Sequence, residues 1–354
     1  MLRRRKPQGA IRRPLRTHTP PSTTLAPEWR VWIAENLLRG ATRDVITQAL
    51  TSQGVSLEEI DRQIRDIEAS PGLVAGRQFA RQARRLDSIA QLMAALARTA
   101  PHPTSVERRA NVSADEFFDR YYATATPVVL TDVVTRWRAL ERWTPEYFKS
   151  RYGEVEVHAA FGRASDPDYD MHTAKLSRPV RFGDFIDRVL AAGESNDLYL
   201  VANNRNMDRA ALRSLYEDVT VDTALLDPAR YAGSVALWFG PGGTVTPMHH
   251  DTSNILFAQV YGRKRFRLVA PWETALLAGA RGVYCDIDPE NPDLAKHPAY
   301  AKVTVKDVTL APGDMLFIPV GWWHHVRALD LSINIAFTNF TRNNAFDWYR
   351  PGEK

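Results

Sequence analysis

From about residue 106 onward the chain is a succession of short β-rich runs, and this spacing limits the fold more than any other feature. TPVVLTDV, EVEVHAAF, DLYLVA, SVALWFG, NILFAQVYG, KRFRLVAP, VTVKDVTLAPGDMLFIPV and LSINIAFTNF follow one another with Gly- and Pro-containing turns and few helices between them. Such runs predict a mainly β domain, an antiparallel barrel or a double-sheet jelly roll whose facing sheets bury alternate side chains. A capped helix leads into it at SADEFFDRYY, with Ser113 and Glu116 as the capping box.

The N-terminal third reads differently. PEWRVWIAENLLRG starts a helix at Pro27, carries Trp29, Trp32, Ile33 and Leu37 on one stripe and stops at Gly40. Val45, Ile46, Ala49 and Leu50 form a second stripe ending at Gly54. SLEEIDRQIRDIEASP opens with a Ser56–Glu59 box and places Leu57, Ile60, Ile64 and Ile67 at helical spacing. A longer helix over roughly 72–98 has Phe79, Leu86, Ile89, Met93 and Leu96 as its apolar positions. Its Arg77, Arg81, Arg84 and Arg85 read as a solvated face. The expected organisation is a basic arm over 1–26, an all-α bundle over 27–98 suited to docking a peptide or partner, and a Pro-rich linker over 99–105. The β domain follows over 106–345, with a tail over 346–354.

The charge balance argues against a nucleic-acid-binding fold. Arg3, Arg4, Arg5, Lys6, Arg12, Arg13 and Arg16 together exceed the whole net charge of +5, so the remainder is slightly acidic and the basic character belongs to the arm. The arm is rich in Arg, Pro and Thr and is expected to be disordered. MLRRRK is followed by no apolar stretch of the kind a secretory signal needs, and no apolar window is long enough for a membrane span. One cysteine, Cys285, excludes an intramolecular disulfide framework and suits a reducing compartment, so a cytoplasmic protein is expected.

Four of the nine histidines stand in two doublets, TPMHHD and WWHHV. Side chains alternate along a strand, so His249 and Asp251 share a face while His250 points away. A third donor from a distant strand would give two imidazoles and a carboxylate, the set that leaves open positions on non-haem Fe(II). His-x-Asp recurs by chance, so the flanking segments must carry the weight. In QVYGRKRFRLVAP a tight turn at Gly262 joins two strands, and Lys264 falls on the apolar face with Phe266 and Leu268. A buried ammonium needs an anion, either a core carboxylate or one belonging to a ligand. In APGDMLFIPVGWWHHV, Pro319 and Gly321 allow a bend before two tryptophans deliver the second doublet. Strand parity alone does not choose between His324 and His325.

ALWFGPGGTVTPMHHD, FAQVYGRKRFRLVAP, ENPDLAKHPAYAK and LAPGDMLFIPVGWWHHVRALDLS resemble the Jumonji-C (cupin-like) 2-oxoglutarate oxygenases, nearest to the small hydroxylase branch. The resemblance covers about 106–345 and leaves the N-terminal third out. It implies a double-stranded β-helix holding Fe(II) on His249, Asp251 and His324, with 2-oxoglutarate and O2 as co-substrates. It also implies that Lys264 pairs with the distal carboxylate of 2-oxoglutarate, with Thr246 and Tyr199 as further contacts. The asparagine that relatives carry four residues after the ligand aspartate is replaced here by Ile255, while Asn254 stands one place earlier. On the last strand Asn334, Ala336 and Thr338 share a face, and Asn334 is the candidate to supply the missing amide.

The function so implied is hydroxylation of a C–H on an amino-acid side chain of a protein or peptide, with release of succinate and CO2. An N-methyl demethylase with the same iron chemistry and a non-catalytic cupin-like module are the alternatives. An oxygenase acting on RNA or a small molecule would have only the basic arm in its favour. The chain ends without the helix pair through which some relatives dimerise, so monomer and dimer both stay open.

Overall fold

The computed structural model describes residues 25–277 and 282–348. All but the last two residues of the basic arm, and the end of the C-terminal tail, lie outside them. The chain divides into two compact units, residues 1–92 and 93–354.

The first unit is helical: α1 (Pro27–Leu38), α2 (Arg43–Thr51), α3 (Leu57–Ala69) and most of α4 (Pro71–Ala97). Thr42 and Ser56 cap α2 and α3 by accepting from the Val45 and Glu59 amides. Only half of the expected Ser56–Glu59 box forms, because the Glu59 carboxylate turns instead to the Leu25 amide and to Gln63. Trp29, Trp32, Ile33, Ile46, Leu50, Ile60, Ile64 and Ile67 make one core. Leu57, expected on that stripe, is exposed. As the first residue of α3 it precedes the turns that pack.

Among the described residues the second unit has thirteen strands: β1 (Glu107–Arg109), β2 (Val128–Leu130), β3 (Glu156–Phe161), β4 (Ser177–Arg181), β5 (Leu198–Tyr199), β6 (Val235–Gly240) and β7 (Val245–His249) come first. They are followed by β8 (Ile255–Tyr261), β9 (Lys264–Val269), β10 (Lys306–Leu310), β11 (Met315–Ile318), β12 (Trp323–Ala328) and β13 (Ser332–Phe337). One sheet runs β1-β2-β11-β8-β13-β6, a second β10-β9-β12-β7, and a third, smaller one β4-β3-β5. Apart from the β1–β2 pair, all neighbours are antiparallel. The two larger sheets face each other as a double-stranded β-helix, as expected.

Alternation along the strands divides the core into layers. Phe257, Phe266, Leu268, Leu316, Ile318 and Ala336 meet between the two sheets. Their strand neighbours Leu256, Ala258, Phe317, Ile335 and Phe337 bury the other face of the six-stranded sheet with Phe117, Trp143, Phe148 and Phe185. That explains why β13 is buried at every position. Met248, Val269 and Trp323 cover the outer face of the four-stranded sheet with Cys285, Ile287 and Tyr300. Between β2 and β6 the chain is more helical than its sequence pattern predicts, with helices at Pro145–Tyr152 and Phe182–Ala192. The turn at Gly262 admits only glycine. Its φ is +66°, and a Cβ there would lie 2.0 Å from the Leu331 carbonyl oxygen.

Candidate metal and co-substrate site

β7 and β12 run antiparallel with His249 opposite His324, and a register shift follows between His324 and Val326. The two rings therefore meet across the ladder, with centroids 4.1 Å apart. Asp251 follows two residues after His249. Its Oδ2 lies 3.3 Å from His324 Nε2 and 4.0 Å from His249 Nε2. One donor atom from each of the three residues lies within 4.8 Å of the others. The bend before β12 is tied to this corner, because the Gly321 amide donates to the Asp251 carbonyl at 3.1 Å.

Backbone carbonyls orient both rings. His249 Nδ1 lies 2.7 Å from the Pro247 oxygen, and His324 Nδ1 lies 2.9 Å from the Trp322 oxygen. A proton donated at Nδ1 leaves each Nε2 lone pair for the centre, the usual support of a metal-binding imidazole. Burial, and then the neighbouring His324, push His249 down to about 4. For Asp251, crowding by protein atoms works upward. The hydrogen bond to His324 and the surrounding imidazoles outweigh it and hold the carboxyl at about 2. The Asp251 side chain is 35% accessible, and it opens onto a cavity inside the β-helix. At neutral pH the corner thus offers a neutral His249 and an ionised Asp251, the protonation states a divalent cation requires.

The other members of the doublets face away. His250 is fully buried and packs edge-on against Trp323, centroids 4.7 Å apart. His325 lies on the outer face of β12, where Asp288 and Glu290 approach it.

Lys264 starts β9 and is 1% exposed. Its Nζ donates to the Tyr199 hydroxyl at 2.5 Å and lies 5.5 Å from the Phe257 ring centroid. Among the described residues no carboxylate pairs with it, so the core partner weighed from sequence is not there. Burial, and then the positive charge of Arg163, lower Lys264 to about 7. Tyr199 is buried on β5, and burial raises its hydroxyl pKa. Gly240 makes room for that ring, since a Cβ there would meet Tyr199 Cδ2 at 2.6 Å.

His249, Asp251, His324, Lys264, Tyr199 and Thr246 all line one cavity of about 1170 Å³. Asn334 is placed differently from the sequence expectation. It is fully buried, its amide donates to Gln259 Oε1, and it is not among the residues lining the cavity. Ala336 and Thr338 of the same face do line it. Asn254 is structural, accepting from the Val320 amide and donating to Asn344. Two residues the sequence did not reveal stand nearby. Arg163, 1% exposed, donates to the Val245 carbonyl at 2.6 Å and stacks on Tyr169 and Tyr199. Asp170 lies 3.6 Å from it and lines the cavity; burial raises Asp170 to about 6 against the pull of Arg163. Both sit in an irregular segment with no periodicity to mark them.

Residues 114–345 match the family model described as a cupin-like domain. The chain belongs to the cupin-like Jumonji-C family. Oxygenases of this Jumonji-C family use Fe(II), 2-oxoglutarate and O2. The chain is 30% identical over 236 residues to lysine-specific demethylase 8 of Xenopus tropicalis, covering 64% of this chain and 50% of that protein. It is 30% identical over 242 residues to lysine-specific demethylase JMJ30 of Arabidopsis thaliana, covering 66% and 54%. It is 40% identical over 230 residues to HSPB1-associated protein 1 of Bos taurus, covering 59% and 47%. The chain thus spans about half the length of these relatives. The fit of its residues to the family's cofactors rests on two features of the cavity. Two imidazoles and a carboxylate converge with one side open, as a ferrous site requires, and an unpaired buried ammonium faces the same space, as a dicarboxylate requires. No helix among the described residues is long and apolar enough to cross a membrane.

Proposed function

We propose that the chain is an Fe(II)- and 2-oxoglutarate-dependent dioxygenase that hydroxylates an unactivated C–H of an amino-acid side chain in a protein or peptide. The observation that carries this reading is the sharing of one cavity by the His249, Asp251 and His324 corner and the carboxylate-free Lys264. Iron, 2-oxoglutarate and O2 together supply an oxidant for the C–H bond, with 2-oxoglutarate converted to succinate and CO2.

What the chain adds is position. His249, Asp251 and His324 would hold the metal, their rings fixed by the Pro247 and Trp322 carbonyls. Lys264 and Tyr199 would take the distal carboxylate, the first as a charge and the second as a hydroxyl donor. Phe257, Phe266, Ile318 and Val326 give that part of the cavity apolar walls, which limit water around a reactive centre. Farther out, Asp170, His158, Asn203 and Arg205 offer polar groups to a substrate. The carbon they hold nearest the metal is the one modified. We assign the helical unit, with its own core, to holding more distant parts of the same polypeptide.

A second reading, removal of an N-methyl group, is favoured by the names of two relatives, both lysine-specific demethylases. The same residues would serve it, because hydroxylation of an N-methyl carbon gives a hemiaminal that loses formaldehyde. Mass spectrometry separates the two. The full chain is incubated with Fe(II), 2-oxoglutarate and methylated and unmethylated peptide pools, with His249→Ala as control. A product one oxygen heavier supports hydroxylation, and one lighter by a methylene supports demethylation. If the wild type and the control give equal succinate and no altered peptide, the oxygenase reading fails.

A further inference from the structure

We propose that Asp288, Glu290 and His325 form a second metal site on the outer face of the four-stranded sheet, one that takes zinc in preference to manganese or ferrous iron. A carboxylate oxygen from each acid and one ring nitrogen of His325 all lie within 4.8 Å of one another. His325 is 3% exposed, and its buried Nδ1 has no hydrogen-bond partner among the described residues. Buried imidazoles are normally hydrogen-bonded, so one left without a partner beside two carboxylates points to a ligand. An imidazole and two carboxylates are zinc donors, and the His249, Asp251 and His324 corner uses none of these three residues.

β12 keeps the two sites apart. Side chains alternate along it, so His324 turns into the β-helix and His325 turns out. Opposite His325 on β9 stands Arg267, and Arg327 follows two residues later on the same face of β12. Both arginines pair with Glu290, Arg267 through Nη1 at 2.7 Å. They hold that carboxylate beside the imidazole, as outer partners of metal ligands do. Each carboxylate oxygen keeps a further lone pair for a cation. Asp288 is tied to the same turn by the Glu290 amide, which donates to its Oδ1 at 2.8 Å. Asp288 and His325 line a second cavity of about 780 Å³, which leaves room for water at a fourth coordination position.

Charge decides the metal. Arg267 and Arg327 offset the two carboxylates, so no surplus of negative charge draws a hard cation. What remains is the imidazole, for which Zn(II) ranks above Mn(II) and Fe(II). Manganese and ferrous iron therefore stay at the first corner, and zinc occupies both. Bound zinc clips the segment carrying Asp288 and Glu290 to β12. Tyr284 of that segment bridges to His249 and sets its ring 5.9 Å from that imidazole, on the wall of the first cavity. The second site thus braces the first from outside.

The test is Zn(II) binding by the full chain, measured by equilibrium dialysis with metal analysis. Zinc should bind at two sites in the wild type and at one in His249→Ala/His324→Ala, where only the second site is intact. In that background, adding His325→Ala or Asp288→Asn should weaken the remaining zinc by about tenfold or more and abolish the rise in unfolding midpoint that zinc gives. Asp288 is exposed, so Asp288→Asn should leave the far-UV circular dichroism unchanged and decides the matter if His325→Ala fails to fold. A His249→Ala/His324→Ala chain that binds no zinc, or one whose zinc survives Asp288→Asn undiminished, would overturn the proposal.

Discussion

The Lys264 ammonium donates to the Tyr199 hydroxyl at 2.5 Å inside the β-helix, and no carboxylate of the described chain is there to neutralise it. An ammonium so enclosed is costly to the fold and useful only to an incoming anion. Lys264→Met should therefore leave the unfolding midpoint unchanged or raise it. It should weaken 2-oxoglutarate binding by about tenfold to a hundredfold, the worth of a charge-assisted hydrogen bond of about 1.5–3 kcal/mol. Calorimetry and thermal unfolding on one sample check both. Loss of stability without loss of affinity would make Lys264 structural.

The same burial sets a pH dependence. Lys264 is held at about 7 against an ordinary 10.5, so above neutrality the free protein must regain a proton before it can pair with a carboxylate. Affinity for 2-oxoglutarate should fall as pH rises from about 7, with net proton uptake on binding, measured by titrating in buffers of different ionisation enthalpy. The ligand-free protein should gain stability from about pH 7 towards 10.5. Across that range the native state has shed the proton that the unfolded chain retains.

On the acid side the sign is the same, and lowering the pH costs stability. Burial holds His249 at about 4, with His324 adding to the effect, and holds His325 at about 4 despite nearby Glu290. Between pH 6.5 and about 4 the unfolded chain binds protons the native state refuses, so stability should drop through that window. Asp251, held at about 2, keeps its contribution until pH falls below the ordinary 3.8. Metal should protect across the same window, since protons and metal compete for one set of atoms. Thermal unfolding at several pH values, with and without Mn(II), measures this.

Gly240 offers a way to disturb the co-substrate end without touching a polar group. A methyl group at Gly240 would lie 2.6 Å from Tyr199 Cδ2 and 3.1 Å from Thr244 Cγ2. Gly240→Ala should displace the Tyr199 ring and raise the KM for 2-oxoglutarate several-fold while metal affinity stays unchanged. Equal KM values for the two proteins would remove Tyr199 from the site.

Much of this was legible in the sequence, for identifiable reasons. Alternation and turn residues announced the sheets, and parity separated His249 from His250 although β7 ends at His249 and His250 follows it. Lys264 stood out because a lone cation broke an apolar face. The choice of His324 over His325 needed the resemblance, since parity cannot say which face of β12 turns inward. β4 escaped notice because Ser177–Arg181 is a polar, mostly exposed edge. Arg163 and Asp170 were invisible, their burial being set by Tyr169, Tyr199 and the Val245 carbonyl rather than by any local pattern. Asn334 misled because sharing a face with Ala336 and Thr338 does not bring it to the cavity, and Gln259 takes its amide.

The central claim is that one histidine of each doublet, with Asp251, makes the metal site. Anaerobic titration of Mn(II) or Fe(II) into wild type, His324→Ala and His325→Ala tests it most directly, with unfolding midpoints recorded alongside. The structure predicts one tight site in the wild type, near-wild-type affinity in His325→Ala, and loss of affinity by tenfold or more in His324→Ala. Equal affinity in the wild type and His324→Ala, or loss confined to His325→Ala, would contradict it.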